Sequence, residues 1–402
     1  MTKKGTHDLK KWIIDIRRDL HRFPELSGEE SNTALRVKTY LESLGLVVQT
    51  FDDQNALVAR IEGNRPGPVI ALRADMDALP ITEETGLPFQ SKKKGAMHAC
   101  GHDGHMAMLL GAARMLTEKG HDFAGAVKLI FQPAEEMSPT GGATAVIEAG
   151  VLDDVTAIFG LHVWPDLPTG AIGVKSGAMM GASDRVNIHL HGRGAHAGAP
   201  HRGVDAISLT ASVITGLEQL FSRQIDPLET ATMNIGVIRG GERYNVVARD
   251  VTLEGTVRTL SQDVRLEIPK RLQRMLTGLS ASVGATFDLD YRFGYPPLYN
   301  YPEPTAIVTK VVTDLFGANA LDAEITPTLA SEDFARYLEK KPGAFFWLGC
   351  TSEGKEYAPL HNPKFTLDED ALLIGAQMLV SVACEALTYY GQKVQIKKEK
   401  ED

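Results

Sequence analysis

Apolar residues recur along this chain at two different spacings, and the switch between them marks out its elements. Leu9, Trp12, Ile13, Ile16 and Leu20 fall at helical spacing up to Pro24. Ala34, Val37, Leu41 and Leu44 do the same over residues 31–44, with Gly45 as the stop. Short apolar runs follow at 56–61, 69–74, 127–131 and 157–161, separated by helical segments at 106–118 and 144–148. Strands alternating with helices predict an α/β layer around a parallel or mixed sheet.

From Ser183 the period changes. Val186, Ile188 and Leu190 alternate with polar residues, a helix follows over 205–223, and two more alternating strands carry Ala231/Met233/Ile235/Val237 and Val251/Leu253/Val257. A helix over 264–283 and a strand with Phe287/Leu289/Tyr291/Phe293 complete the order βαββαβ. That order predicts a small antiparallel, ferredoxin-like sheet with both helices on one face. A Pro-rich stretch at 295–304 closes it, and the α/β pattern resumes with a helix over 305–316. Next come a short helix at 332–339 capped by Ser331, a strand at 344–348 and a long helix at 368–390. Residues 391–402 are charged and expected to be disordered. The fold class is therefore α/β: a mixed-sheet main domain (1–182 and 296–402) interrupted by an inserted lid or dimerisation domain (183–295).

A chain of 402 residues agrees with two domains rather than one core. With 43% hydrophobic and 23% charged residues it has a globular composition, and a net charge of -9 without a basic stripe argues against nucleic acid as the main partner. No apolar region follows the basic N-terminus, and no apolar run approaches the ~18–20 residues of a membrane span. Three cysteines, Cys100, Cys350 and Cys384, do not make a disulfide framework. A cytoplasmic location is expected.

The chemistry concentrates in Met97-His98-Ala99-Cys100-Gly101-His102-Asp103-Gly104-His105. Thiolate, imidazole and carboxylate are transition-metal ligands, and small neighbours let the backbone fold around an ion. Cys100 and His102 can face one site only if the chain bends between them, which Gly101 allows. The plainer alternative is a glycine-punctuated helix start with buried histidines. Further ligand types stand just past strands: Asp75 and Asp77 after 69–72, Glu135 and Glu136 after 127–131, and His162 after 157–161. In open α/β sheets that edge binds ligands. His361 lies in a loop before the last helix and can join them. Of two adjacent glutamates, one can bind metal while the other takes a proton from water that the metal has acidified.

These residues resemble the aminoacylase-like, two-metal amidohydrolases and carboxypeptidases, in the branch with the hippurate, indole-acetyl-amino-acid and aminobenzoyl-glutamate hydrolases. The likeness runs through DIRRDLHRFPELSGEE, RADMDALPI, MHACGHDGHMAMLLGAA, QPAEE, GLHVWPDLPTG, GRGAHAGAPHRGVDAI, ASEDFA and PLHNPKF. It implies a catalytic main domain with the inserted domain already inferred. It implies two divalent ions, Zn2+ or Mn2+ (or Co2+ or Ni2+), held by Cys100, His102, Glu136, His162 and His361 with Cys100 bridging, and Glu135 as general base and acid. Asp75 replaces the family's histidine and is not counted as a ligand; Asp77 is expected to hold a ligand side chain in place, and Asp103 and His105 either to do the same or to play a purely structural part. The resemblance further implies that His196, reaching into a dimer partner's site, binds the oxyanion, and that Asn245 and Arg258 hold the substrate's carboxylate. The remaining histidines, His7, His21, His121, His189, His191 and His201, are expected to be surface or structural.

The function so implied is hydrolysis of the amide bond of an N-acyl-amino acid or short peptide by a homodimer or dimer-based tetramer. One rival is a cysteine hydrolase with Cys100 as nucleophile and His102 or His98 as base. Another is a non-catalytic binding protein that keeps a degenerate site. No HExxH, phosphate loop or nucleophile elbow occurs, and Ala197 stands where a dinucleotide fingerprint starting at Gly192 needs its third glycine.

Overall fold

The computed structural model describes residues 3–118, 120, 122–352, 354 and 356–401. The expectation for His121 lies outside them.

The first part of the chain runs α1 (Lys3–Arg22), α2 (Ser31–Ser43), β1 (Val48–Phe51), β2 (Gln54–Glu62), β3 (Arg65–Asp75), α3 (His102–Glu118), β4 (Ala124–Gln132), α4 (Ala143–Glu148), β5 (Ala157–Pro168), β6 (Ile172–Gly173) and β7 (Gly177–Met180). Then come β8 (Ser183–His191), β9 (Ala195–His196), α5 (Ala206–Arg223), β10 (Ala231–Gly240), β11 (Val246–Val247), β12 (Asp250–Thr259), α6 (Gln262–Val283) and β13 (Thr286–Tyr295). The last part holds β14 (Leu298–Asn300), α7 (Pro302–Phe316), β15 (Leu321–Asp322), α8 (Phe334–Leu338), β16 (Gly343–Thr351) and α9 (Asp370–Glu401).

An eight-stranded mixed sheet, ordered β1-β2-β4-β3-β5-β16-β6-β15, crosses the main part. Its centre, β4-β3-β5-β16, is parallel, and these strands are buried almost throughout, as expected of a sheet covered on both faces. Helix α3 lies in one covering layer, buried from His102 to Ala113 with Leu116 behind. Such a helix tolerates close neighbours only where its side chains are small. A Cβ on Gly111 would stand 2.6 Å from Ile13 Cδ1 of α1 and 3.0 Å from Ala376 Cβ of α9.

A separate four-stranded antiparallel sheet, β10-β12-β8-β13, is formed by residues between 183 and 295. Val186, Ile188, Leu190, Val251, Leu253 and Val257 point to one face, where α5 and α6 bring Leu209, Val213, Leu217, Ile268, Leu272 and Leu276. Period-two strands and period-3.6 helices thus bury matching stripes in a core of their own.

Three expectations are corrected. Ser331 does not cap α8: the cap residue is Asp333 and makes no side-chain cap bond, while the Ser331 hydroxyl accepts from Arg258. Residues 391–401 are not a disordered tail but continue α9, whose Lys-, Glu- and Gln-rich end adds turns to a helix already nucleated on the core. The segment Asp370–Lys393 is, by length and composition, apolar enough to cross a membrane; Gln377 and Glu385 interrupt it in the sequence, and 61% of its most apolar window is buried within the protein.

Candidate metal and active site

The parallel strands deliver their carboxyl ends to one cavity of about 520 Å³, lined by Cys100, Glu135, Glu136, His162, Arg258 and His361, with Trp164, Tyr295 and Glu332 among its other walls. Glu135 and Glu136 follow β4 across Ala134, which has φ 56°. His361 itself has φ 64°, and its backbone N–H donates to Ala99 O at 2.9 Å, pinning that loop to the Cys100 stretch. These two are the only non-glycine residues with positive φ among those described; His361 lines the cavity and Ala134 immediately precedes its wall residue Glu135. Backbone held in a costly region at such a place is held there by its surroundings. His162 does not lie beyond its strand, as the sequence suggested, because β5 continues to Pro168; it stands just past the point where pairing with β3 ends, at Gly160.

The bend at Gly101 is real. Its φ is +88°, and a Cβ there would lie 2.3 Å from Val163 Cγ2. Gly101→Ala should therefore combine backbone strain with overpacking and cost ~2–5 kcal/mol. A fall in thermal midpoint together with loss of bound metal would show it; an unshifted midpoint would not fit.

Ligand-type atoms converge here in overlapping trios. Those of Cys100, His102 and His162 lie within 4.8 Å of one another, as do those of Cys100, Glu136 and His361, so the two trios share the Cys100 sulfur. The histidines are oriented from behind. His162 Nδ1 donates to Val163 O at 2.7 Å and His102 Nδ1 to Asp77 O at 2.9 Å, which turns both Nε2 atoms toward the cluster. His162 Nε2 is 3.3 Å from Cys100 Sγ, and His102 Nε2 is buried without a hydrogen-bond partner among the described residues. His361 Nε2 stands 3.0 Å from Glu136 Oε1, yet that oxygen has no partner of hydrogen-bond geometry. Buried polar atoms rarely stay orphaned, and these converge on common points as metal ligands do. The donor set, one thiolate, imidazoles and a carboxylate, fits two divalent cations.

Charge balance gives the same result. Asp75, Asp77, Glu135, Glu136, Glu332 and Asp333 crowd the region around one buried guanidinium, Arg73. Burial, then Glu136, Glu135 and Asp75, push the Cys100 thiol far up. Such surroundings oppose a free nucleophilic thiolate and favour one neutralised by cations. Burial lowers His102, but Asp75 and Asp77 outweigh it and lift the ring to about 10. Burial, then Glu332, Glu136 and Asp333, push the Glu135 carboxyl well above the usual range.

Neighbouring residues divide into three groups. Asp77 Oδ2 accepts from Ser27 Oγ at 2.6 Å and from Glu136 N at 2.9 Å, while Oδ1 lies 3.3 Å from His102 Nδ1. Asp75 is occupied by Arg73 (2.7 Å) and His105 (2.6 Å), and His105 Nε2 accepts from Val163 N at 3.0 Å, so both His105 nitrogens are taken. Asp103 does not join the ligands: Arg17 (2.7 Å) and His21 (2.8 Å) of α1 hold it, and it ties α3 to α1. Its position on the first turn of α3 put it beside His102 in sequence but not in contacts. His98 lies beside His21, not on the cavity.

The inserted sheet supplies Arg258, whose Nη1 donates to Ser331 Oγ at 3.2 Å. His196 and Asn245 are not brought to this cavity. His196 pairs with Val246 in the β9–β11 ribbon, is exposed, and its Nδ1 accepts from Gly198 N; Asn245 O accepts from Ala197 N beside it. The pair therefore forms a unit of its own on the inserted part.

Sequence reasoning missed Tyr295, whose hydroxyl donates to Glu135 O at 2.5 Å, and Trp164, stacked on Trp347 at 4.0 Å. It also missed Glu332, which burial pushes to about 8 against the pull of Arg73. The acidic pair Glu332-Asp333 behind Ser331 was the available signal; it stood within the ASEDFA motif but was given no role beyond a helix start.

Residues 71–385 match the model of peptidase family M20/M25/M40. The chain is 40% identical to thermostable carboxypeptidase 1 of Saccharolobus solfataricus, over 93% of this chain and 95% of that protein. It is 41% identical to N-acetylcysteine deacetylase of Bacillus subtilis, over 92% and 96% of the two. Among solved structures, the Bacillus subtilis YXEP protein, described as a dinuclear metal binding peptidase, superposes with a TM-score of 0.83 at 37% identity, covering 95% of this chain and 99% of that one. The shared fold, the converging ligand trios and the matched sequence lead to one conclusion: this chain belongs to peptidase family M20/M25/M40.

Proposed function

We propose that the protein is a metal-dependent amidohydrolase that cleaves N-acyl-amino acids, with C-terminal cleavage of short peptides as the alternative. One observation carries the reading: two ligand trios share the Cys100 sulfur on a cavity whose wall also presents Glu135 and Arg258. Cys100, His102, Glu136, His162 and His361 would hold two divalent ions, and thiolate with imidazole favours zinc, with manganese, cobalt or nickel as other choices. When bound, such ions polarise an amide carbonyl and lower the pKa of water.

The chain's own residues do the rest. Glu135 takes a proton from water and passes it to the leaving amine nitrogen. Its main chain is held by Tyr295 and its Oε1 accepts from Asp333 N at 3.3 Å, which keeps the carboxylate in place. Arg258 has a neutral hydroxyl partner and no carboxylate within salt-bridge distance among the described residues, so it can grip the free carboxylate of an amino acid. N-acyl-amino acids and peptide C-termini share that carboxylate, and relatives with either name are about equally similar to this chain.

Residues 183–295 act in this reading as a lid and dimerisation unit. His196 reaches a partner's site and stabilises the oxyanion there, while Asn245 beside it contributes to holding the substrate's carboxylate, in a homodimer or a dimer-based tetramer. Three cysteines without a disulfide suit a reducing cytoplasm.

A hydrolysis assay tests the substrate class. N-acetyl- and N-benzoyl-amino acids should be cleaved, and the same compounds with the carboxylate amidated should not. Arg258→Ala should lower kcat/KM for the free acids by ~10–100-fold, mainly through KM, as loss of a charge-assisted contact worth ~1.5–3 kcal/mol requires. Equal turnover of free and amidated compounds would contradict the anchor.

A further inference from the structure

A second group of ligand-type side chains lies on the open face of the four-stranded sheet and shares no residue with the cavity. His189 and His191 are two apart on β8 and so project to one side. In register, His191 faces Asp250 on β12, and His189 faces Asp288 on β13. His191 Nδ1 is 3.0 Å from Asp250 Oδ1, and its Nε2 is 2.8 Å from Asp288 Oδ2. His189 Nε2 is 3.6 Å from the same Asp250 oxygen, and the two rings stand 4.0 Å apart. The ligand atoms of His189, His191 and Asp288 all fall within 4.8 Å.

The rest of this face is paired differently. Glu254 is held by Arg185 and Arg239, and Asp290 by Arg292. Arg249 takes Asp250 Oδ2 at 3.2 Å, which leaves Oδ1 directed at the histidines. Asp288 has His191 as its partner and no lysine or arginine within salt-bridge distance among the described residues. Two imidazoles among two carboxylates form an electron-rich pocket on three adjacent strands, and side chains this exposed can close around an ion by small rotations.

We propose that His189, His191, Asp250 and Asp288 form a binding site for one divalent transition-metal ion, separate from the catalytic cluster. Two imidazoles and two carboxylates suit zinc, nickel or copper. A bound ion would displace the proton that His191 shares with its carboxylates and would fasten β8, β12 and β13 together. The proposal does not depend on the function proposed above.

Nickel titrated calorimetrically into the full chain tests it. The wild type should bind one more ion per chain than the double variant His189→Gln/His191→Gln. Asp288→Asn, at the most exposed of the four positions, should keep the fold and weaken that extra site by ~10-fold or more, since even an outer partner of a ligand is worth ~10–100-fold. Hydrolysis should be unchanged in both variants. Identical stoichiometry and affinity in all three proteins would overturn the site.

Discussion

Glu135→Gln should reduce kcat by ~10²–10⁴-fold while leaving bound metal and KM nearly unchanged, the range expected when a positioned general base and acid is removed. The substitution is chosen because it preserves what surrounds the residue. Glutamine keeps the length of the side chain and can still accept from Asp333 N through Oε1, and Tyr295 still bonds the main-chain oxygen. What it cannot do is carry a proton from water to a leaving amine. Glu136, one residue on, faces His361 and Cys100 instead, so it has neither the position nor the freedom to substitute. Single-turnover kinetics beside a metal assay measure both halves of the expectation. Retained kcat, or loss of metal in step with activity, would remove Glu135 from the role given to it.

Arg73→Met should destabilise the protein by ~3–5 kcal/mol, the cost of stripping the counter-ion from a buried charge network. Arg73 is fully buried and spends its guanidinium on four partners: Asp75 (2.7 Å), Asp333 (2.8 Å), Glu332 (3.0 Å) and Gln132 (2.9 Å). Methionine matches much of its stem but none of its charge, so three carboxylates would lose their shared cation at once. The damage should reach the site, because Gln132 and Asp333 bracket the turn that carries Glu135. A urea or thermal midpoint well below wild type, with weaker metal retention, is the expected result. A midpoint equal to wild type would mean the network is not stabilising.

Most of the architecture was legible because the chain states it in periods. The change from buried runs to alternation near Ser183 located the inserted sheet, and Gly101 announced the turn that lets Cys100 and His102 face one point. Features set by tertiary contact were not legible. Nothing in the local pattern distinguishes Asp103, committed to Arg17 and His21, from Asp77, committed to the ligand side. Tyr295 and Glu332 reach the cavity from elements more than a hundred residues beyond Glu135, and only the folded arrangement brings them there. The helical continuation of α9 was missed for a different reason: beyond Gly391 its sequence has only Val394 and Ile396 as apolar residues, two apart, so no stripe at helical spacing marks it. His196 and Asn245 keep each other's company away from the cavity, a placement no single-strand pattern could disclose.

The central claim is that Cys100 joins two ligand sets around a pair of cations, and a metal count tests it most directly. The count is made on the purified chain carrying His189→Gln and His191→Gln, so that the cluster on the four-stranded sheet adds nothing, with and without Cys100→Ser. Two divalent ions per chain, falling below two when Cys100 is replaced and with hydrolysis lost alongside, is the result the account requires. Full hydrolysis by a chain that binds no ion, or an unaltered count without the Cys100 sulfur, would contradict it.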